Sequence, residues 1–498
     1  MIKRSPFAGL AVLCAVFGGF VLGDTTVCAA RNGPPPADCS RIEAELERAR
    51  GQIEIERLRV RQWQTRHAAL EKRLREALLW RVVRELEAEV AELRGLPIRR
   101  PIEVEVLDRE GTERLIRRLI ERDWPDSVAI ARGRVLDLLG AMEPGADLRE
   151  IIIGLYSEQT GGLYDDTTGK LYLTDLFDPD SRVGKVVIAH EICHALQDQN
   201  FDFSRYSLHR HDNDDQVFAV LSVLEGDATL LMMEYMQRNL SATWLLELPK
   251  LMSLDQRRLN EAPPYLQYLL IFPYIQGMQM VMESLLVGPE GRNRLLADPP
   301  RSTAQVLHPE KYFSATADSA TTVSLFDISA HLTGGWEPLW ENSMGEAGLR
   351  ALLIPRDKPM KFNMMSMRPL TLDPLIEQAA RGWAADRIGL WISTAAGPPS
   401  PQSPAILQWR IDWESEADAV CFRDYAATHW LPRILPEAQA EPLPAAQGAW
   451  LKAWRDPARH TWVLLHQSRS SITLFIGQGD TTSIIHDPLG AFLGRLGD

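Results

Sequence analysis

Between residues 41 and 96 the chain carries no proline, and Gly51 is its only glycine before Gly95. Within this stretch apolar residues recur at Leu79, Val83, Leu86, Val90 and Leu93, alternately four and three apart. That spacing keeps one stripe on one side of a helix and, when sustained, forms the a/d seam of a coiled coil. The pattern predicts a long helix over 41–96, with a looser register upstream at Leu46, Ile53, Leu58, Leu70 and Leu74. At ~1.5 Å per residue it would reach about 80 Å, the length of a stalk or a dimerisation arm. A homodimer through this coiled coil is therefore one expected partner arrangement.

Gly95 and Pro97 stop the helix, and 102–107 then alternates as a strand does. Helical periodicity follows at 112–122, 128–142 and 148–159. Residues 162–164 and 170–173 flank a turn of Asp, Thr and Gly and read as a hairpin. Two further helices are expected at 182–199 and 215–238. Met278, Met280 and Met282 beside Phe272 and Tyr274 mark an apolar helical stretch that reads as core. Ser302 and Gln305 form a capping pattern for a short helix that Pro309 ends, leaving His308 at its terminus. Beyond residue 314 come a helix at 345–353, strands at 387–392 and 406–413, a helix at 415–428, strands at 461–466 and 472–476, and a final helix. Linkers at 395–404 and 435–446 separate them. The Trp residues of this part (Trp383, Trp391, Trp409, Trp413, Trp450, Trp454 and Trp462) read as core. The expected fold class is α+β, mainly helical, organised as segments 1–30, 41–96, 98–314 and 315–498, the last a small α+β unit.

Composition narrows the setting. The 498 residues are 45% hydrophobic and carry a net charge of −13, so nothing basic favours a nucleic-acid partner. Five cysteines are too few for a disulfide scaffold in a chain of this length. Lys3 and Arg4 precede an apolar run over 7–23, and Cys28-Ala29-Ala30 offers a cleavage site. The segment 1–30 reads as a signal peptide, with an uncleaved membrane anchor as the alternative, since 17 apolar residues reach the lower limit for a span. Either way the protein is expected to be exported.

The chemistry concentrates in His190-Glu191-Ile192-Cys193-His194, an HExxH pentapeptide with uncharged flanks. Positions four apart share a helix face, so His190 and His194 present two imidazoles to one ion, with Glu191 beside them to reach a water on that ion. A catalytic zinc wants three protein ligands and an open position. The layout with a third His or Asp six residues beyond His194 fails, because Asn200 stands there and Gln197 replaces the turn glycine. His209 and His211 lie in a polar loop. Glu225 is the stronger candidate: from 217 to 233 only Glu225 and Asp227 are charged, so the helix is buried nearly all round and its carboxylate needs a cation. A buried Glu paired with Arg or Lys is the bland alternative. Gly226 removes a side chain where two helices approach closely. Asp198 or Asp227 would orient His194, and Cys193 points off the His190/His194 face and reads as a small buried side chain.

Four segments, 158–165, 190–199, 225–228 and 299–312, together resemble a family of bacterial and archaeal zinc metallopeptidases with HExxH and a downstream Glu in an EGDA-type motif, a gluzincin-like layout. Cys193 departs from the family's usual non-thiol residue. The resemblance covers residue 102 to the C-terminus and implies a zincin-like core, Zn2+ as cofactor and a peptide or protein substrate. In the mechanism expected here, Zn2+ on His190, His194 and Glu225 activates water, and Glu191 is the general base. His308, with Tyr312 and Tyr164 behind it, is the expected oxyanion donor. The hairpin would offer its edge strand to an extended substrate. The rival reading is a non-catalytic exported or membrane-anchored scaffold with a structural zinc site.

Overall fold

The computed structural model describes residues 37–174, 178, 180–240, 257–314, 322–328, 332, 335–358, 370–395, 397–441 and 450–479. The expected signal or anchor segment and the final helix lie outside the described residues. The chain divides into two compact units, 1–77 and 78–498. Helix α1 (Ala37–Arg94) contributes to both. In the first unit its apolar side chains are exposed, Ile53, Leu70 and Leu74 among them.

In the second unit the seam at 79–93 is occupied by its own chain. Leu79, Val83, Leu86 and Val90 are buried. They belong to one cluster with Leu171 and Leu173 and with Val186, Ile188, Ile192, Cys193 and Leu196. Leu93, partly buried, packs against the same cluster, which corrects the expectation that these five positions face a partner helix. A core-facing stripe and a coiled-coil seam are the same pattern, and tertiary packing decides which it becomes.

Strand β1 (Glu103–Leu107) is followed by α2 (Arg109–Asp123), α3 (Asp126–Leu138) and α4 (Leu148–Gln159), then by the hairpin β2 (Gly162–Asp165) and β3 (Lys170–Thr174). The sheet order is β1-β3-β2, with β1 parallel and β2 antiparallel to β3. Helix α5 (Arg182–Phe201) starts at Ser181, whose hydroxyl accepts from the Gly184 N–H, and carries the HExxH residues beside this sheet. Helix α6 (Asp214–Arg238) starts at Asn213 in the same manner. After α7 (Arg257–Glu261), helix α8 (Pro264–Val287) lies against α6 at backbone distance. A β-carbon on Gly226 would overlap the Gly277 backbone, and one on Gly277 the Ser222 carbonyl. The close approach expected at Gly226 is thus made, and its partner is α8.

Helices α9 (Gly291–Ala297), α10 (Thr303–Leu307), α11 (Pro309–Phe313), α12 (Gly345–Leu353), α13 (Pro374–Ala380) and α14 (Glu416–Tyr425) accompany a seven-stranded antiparallel sheet. Its order is β4-β5-β6-β10-β9-β8-β7, from β4 (Trp336–Asn342), β5 (Trp383–Ser393), β6 (Ala405–Trp413), β7 (Gln439–Glu441), β8 (Trp450–Asp456), β9 (Thr461–Ser468) and β10 (Ser471–Gln478). The expected 415–428 helix ends as α at Tyr425 and continues as a π turn, Ala426–Trp430. Of the Trp residues read as core, Trp383, Trp391, Trp409, Trp413 and Trp462 are buried. One apolar core joins Val223 and Leu224 of α6 and Phe272 of α8 to Leu349 of α12 and to Trp409 and Leu474 of the sheet.

Buried carboxylates tie these parts together. Asp215 accepts from the Thr303 N–H at 2.7 Å and hydroxyl at 2.5 Å, while its own N–H donates to Ser343 O. Asp386 accepts from the Met344 and Gly345 N–H groups and from Trp409 Nε1. Burial pushes Asp215 up to about 7, against the Thr303 hydrogen bonds and with help from the charges of Asp386 and Glu346. An unfolded Asp titrates near ~3.9, so the folded chain holds a proton that the unfolded chain releases. The stability carried by that proton is present near pH 4 and is lost as pH rises to about 7. Asp215→Asn should raise Tm relative to wild type more at pH 8 than at pH 4.5; an equal shift at both would disprove the linkage. Gly277→Ala should cost about 1–3 kcal/mol or more in denaturant unfolding. Gly133→Ala, whose β-carbon would make ordinary contact with Leu148, should cost nothing.

Candidate metal centre

Helix α5 sets His190 and His194 one turn apart, and α6 brings Glu225 to meet them. His190 Nε2 lies 3.1 Å from Glu225 Oε2 and 3.1 Å from His194 Nε2, and His194 Nε2 lies 3.4 Å from Glu225 Oε2. Donor atoms bound tetrahedrally at about 2.0–2.1 Å stand roughly 3.3 Å from one another, so the trio has the spacing of three zinc ligands. The ion-pair partners of Glu225 are these imidazoles, not Lys or Arg. Burial opposes the charge of Glu225, but the two imidazoles outweigh it and hold the carboxyl well below its usual range. His194 shows the converse: burial opposes its protonation, and Glu225 holds it up at about 9. The three side chains converge on one point and draw positive charge to it.

The orientation of His194 is set from behind. Its Nδ1 lies 2.9 Å from Gln197 Oε1. Gln197 Nε2 donates to Asp227 Oδ2 at 2.8 Å and to Leu224 O at 3.1 Å, which fixes which end of the amide faces the ring. An amide oxygen only accepts, so Nδ1 carries a hydrogen, and in the neutral ring the Nε2 lone pair faces the trio. Asp227 is in turn held by Arg94 Nε at 2.8 Å and Arg292 Nε at 2.6 Å. The Arg-paired carboxylate considered for Glu225 is thus realised two residues on.

Glu191 is buried, and burial raises its carboxyl above the ordinary value against the pull of the two imidazoles. Its Oε2 accepts from the Tyr164 N–H at 3.0 Å. Gly162 lies against it, leaving no room for a β-carbon. Tyr164 therefore reaches the centre through its backbone, while its hydroxyl donates to Asp198 at 2.6 Å. Asp198 is engaged by that hydroxyl, by Arg100 and by the Phe203 N–H, and has no bond to His194. Of the two carboxylates proposed to orient His194, Asp227 does so, through Gln197.

Other expected residues fall outside the trio. His308 Nε2 lies 3.0 Å from Glu346 Oε1, a fully buried carboxylate also bound by Arg350. The Tyr312 hydroxyl donates to Asp298 O at 2.5 Å. Both have structural partners in place of an oxyanion role. His209 sits between Asp123 and Asp166, whose hydrogen bonds push it up to about 10. The only metal-competent group among the described residues is His190, His194 and Glu225, so neither His209 nor His211 joins it. Cys193 points away, its Sγ 3.9 Å from Asp227 Oδ2, as its place on the helix implies.

The residues that sequence reasoning missed are Tyr274 and Tyr156. The Tyr274 ring stacks on His190 at 6.1 Å between centroids and 22° between planes. Burial, together with Glu225, Tyr156 and Glu191, keeps its hydroxyl protonated well above the ordinary value. Desolvation and the charge of Glu225 push Tyr156 up to about 12. Tyr274 was hidden in an apolar run; the residue before it, Pro273, inside a helix, was the available signal that α8 is locally special.

A family model described as a domain of unknown function, DUF8575, matches residues 337–489. That span takes in the large sheet and contains none of the four HExxH and Glu225 residues. No curated protein and no solved structure matches the chain.

Gln197→Leu keeps the volume and removes all three side-chain hydrogen bonds. It should weaken zinc affinity by about 10–100-fold in a chelator competition. Affinity equal to wild type would show that His194 is held by packing alone.

Proposed function

We propose that this chain is a zinc-dependent peptidase of zincin-like, gluzincin-like organisation, exported from the cytoplasm and acting on a peptide or protein substrate. The observation that carries the reading is a trio of two imidazoles and one carboxylate at zinc-ligand spacing, with a second carboxylate, that of Glu191, buried beside it. No fourth His, Cys, Asp or Glu completes the trio among the described residues. A structural zinc closes its fourth position with protein, whereas a catalytic one keeps it open. Glu191 has no part in a purely structural site.

When bound, zinc supplies a Lewis acid that acidifies water and polarises a carbonyl. The chain's own residues do the rest. The Glu191 carboxylate, fixed by the Tyr164 N–H, takes the proton of the attacking water and passes it to the leaving amine. Tyr274, a phenol kept neutral next to His190, is the donor for the oxygen on which negative charge develops, in the place first assigned to His308. Gln197 and Asp227 hold His194 in its ligating tautomer. Strand β2 pairs with β3 on one side only, so its outer edge, next to Glu191, is placed to receive an extended peptide.

Purified protein should hold close to one zinc per chain, and Glu225→Ala should lose most of it. Glu191→Gln should keep the zinc and lose peptide hydrolysis by several orders of magnitude. No zinc in the wild type would sink the metal assignment. Zinc without hydrolysis of any peptide library would favour the scaffold reading.

A further inference from the structure

The first unit presents an apolar stripe that no other described residue covers, and this stripe is not the one occupied at 79–93. Reading α1 upward from Ile42, positions 42, 46, 49, 53, 56, 60, 63, 67, 70, 74 and 77 are alternately four and three apart. They hold Ile42, Leu46, Ala49, Ile53, Glu56, Val60, Trp63, His67, Leu70, Leu74 and Ala77. The stripe therefore keeps a heptad over five repeats, with Leu46, Ile53, Val60, His67 and Leu74 at a and Ile42, Ala49, Glu56, Trp63, Leu70 and Ala77 at d. The buried seam of the second unit continues two residues out of this phase, with d at Leu79, Leu86 and Leu93 in place of 84 and 91. One helix thus carries two seams, and only the downstream one is filled. Upstream, Ile42 is 60% exposed, Ile53 53%, Leu70 64% and Leu74 73%.

We propose that residues 42–77 form a parallel, in-register, two-stranded coiled coil with a second copy of this chain. Six of the eight exposed large apolar residues between 42 and 77 lie at a or d, with Ile55 and Leu58 the two outside it, so the stripe has the narrow shape of a helix seam, while a helix adsorbed on a lipid surface needs a wider apolar face. β-Branched Ile53 and Val60 at a favour two strands. Charges flanking the seam choose the direction. In a parallel pair each g residue meets the e residue five positions on in the partner. This sets Glu45 against Arg50 and Arg66 against Glu71, both attractive, and Gln52 against Arg57 and Arg59 against Gln64, both neutral. Antiparallel pairing centred on this segment keeps one attractive pair, Glu45 against Arg73, but sets Glu43 against Glu71, and Arg57 and Arg59 each against its own copy. Polar Glu56 and His67 within the seam fix the register, since any slip buries them against apolar partners. The proposal is independent of the zinc reading: dimerisation is read from mass, not from metal content or hydrolysis.

The test is sedimentation of the full chain in a density-matched mild detergent. Wild type should run as a dimer. Val60→Glu and Leu74→Glu, at a, should raise the dissociation constant at least 100-fold. Leu58→Glu, equally apolar and exposed but at the outward f position, should remain a dimer. Far-UV circular dichroism and bound zinc, unchanged in all three, show that the second unit stays folded. Direction is read by Leu74→Cys in a Cys39→Ser background, which should form a 74-to-74 disulfide on mild oxidation. A monomeric or trimeric wild type, dissociation by Leu58→Glu, or cross-linking of Leu46→Cys to Leu74→Cys chains without 74-to-74 linkage would each overturn the proposal.

Discussion

The second unit is organised around one buried carboxylate. Asp227 is 1% exposed and lies between two guanidinium groups that come from either side of it in the sequence, Arg94 at the end of α1 and Arg292 in α9. A charge so placed is tolerated only with its partners. Removing one partner of such a pair costs about 3–5 kcal/mol, because the remaining charge stays dehydrated. The pairing therefore dictates that α1, α6 and α9 meet where they do. Gln197, also fully buried, extends the network to α5 and from there to the His194 ring. Long-range packing and the tautomer of one imidazole are thus settled by the same group.

A second constraint acts from the other side of α6. Glycines at 226 and 277 let α6 and α8 touch through their backbones, and Glu225 and Tyr274 are close to this contact in sequence. A wider separation would draw the Tyr274 phenol away from Glu225 and from the His190 face. Further along α6, Asp214 and Asp215 bind Arg132, Asn342 and Thr303, which fasten the helix to α3, β4 and α10. A single helix is thereby fixed at its start by polar groups, in its middle by backbone contact and at the turn that carries Glu225 by ion pairs with His190 and His194.

The local elements were legible because their signals are local. Helices α4, α5, α6 and α12 and the hairpin follow from periodicity, caps and turn residues, and the trio follows from spacing plus one buried carboxylate. What was not legible depends on partners distant in sequence. The stripe at 79–93 reads as a seam whether it faces another chain or α5. Gln197 registers in the sequence only as a missing glycine, since its role comes from Asp227 and His194 together. His308 looked catalytic because Glu346, its actual partner, is 38 residues away. Strands β4 and β8 escaped notice because their exposed charged and proline residues break the alternation, as edge and near-edge strands allow.

The thiol of Cys193 lies on the inward side of the pentapeptide, fully buried next to Asp227 and raised by desolvation well above the ordinary thiol range. A thiol in that state reacts only after helices α5 and α6 have parted enough to let in solvent and a reagent. The same parting separates His190 and His194 from Glu225. Cys193 is therefore a native clock for the opening of the centre: the rate at which it is alkylated reports how often the ligand set comes apart.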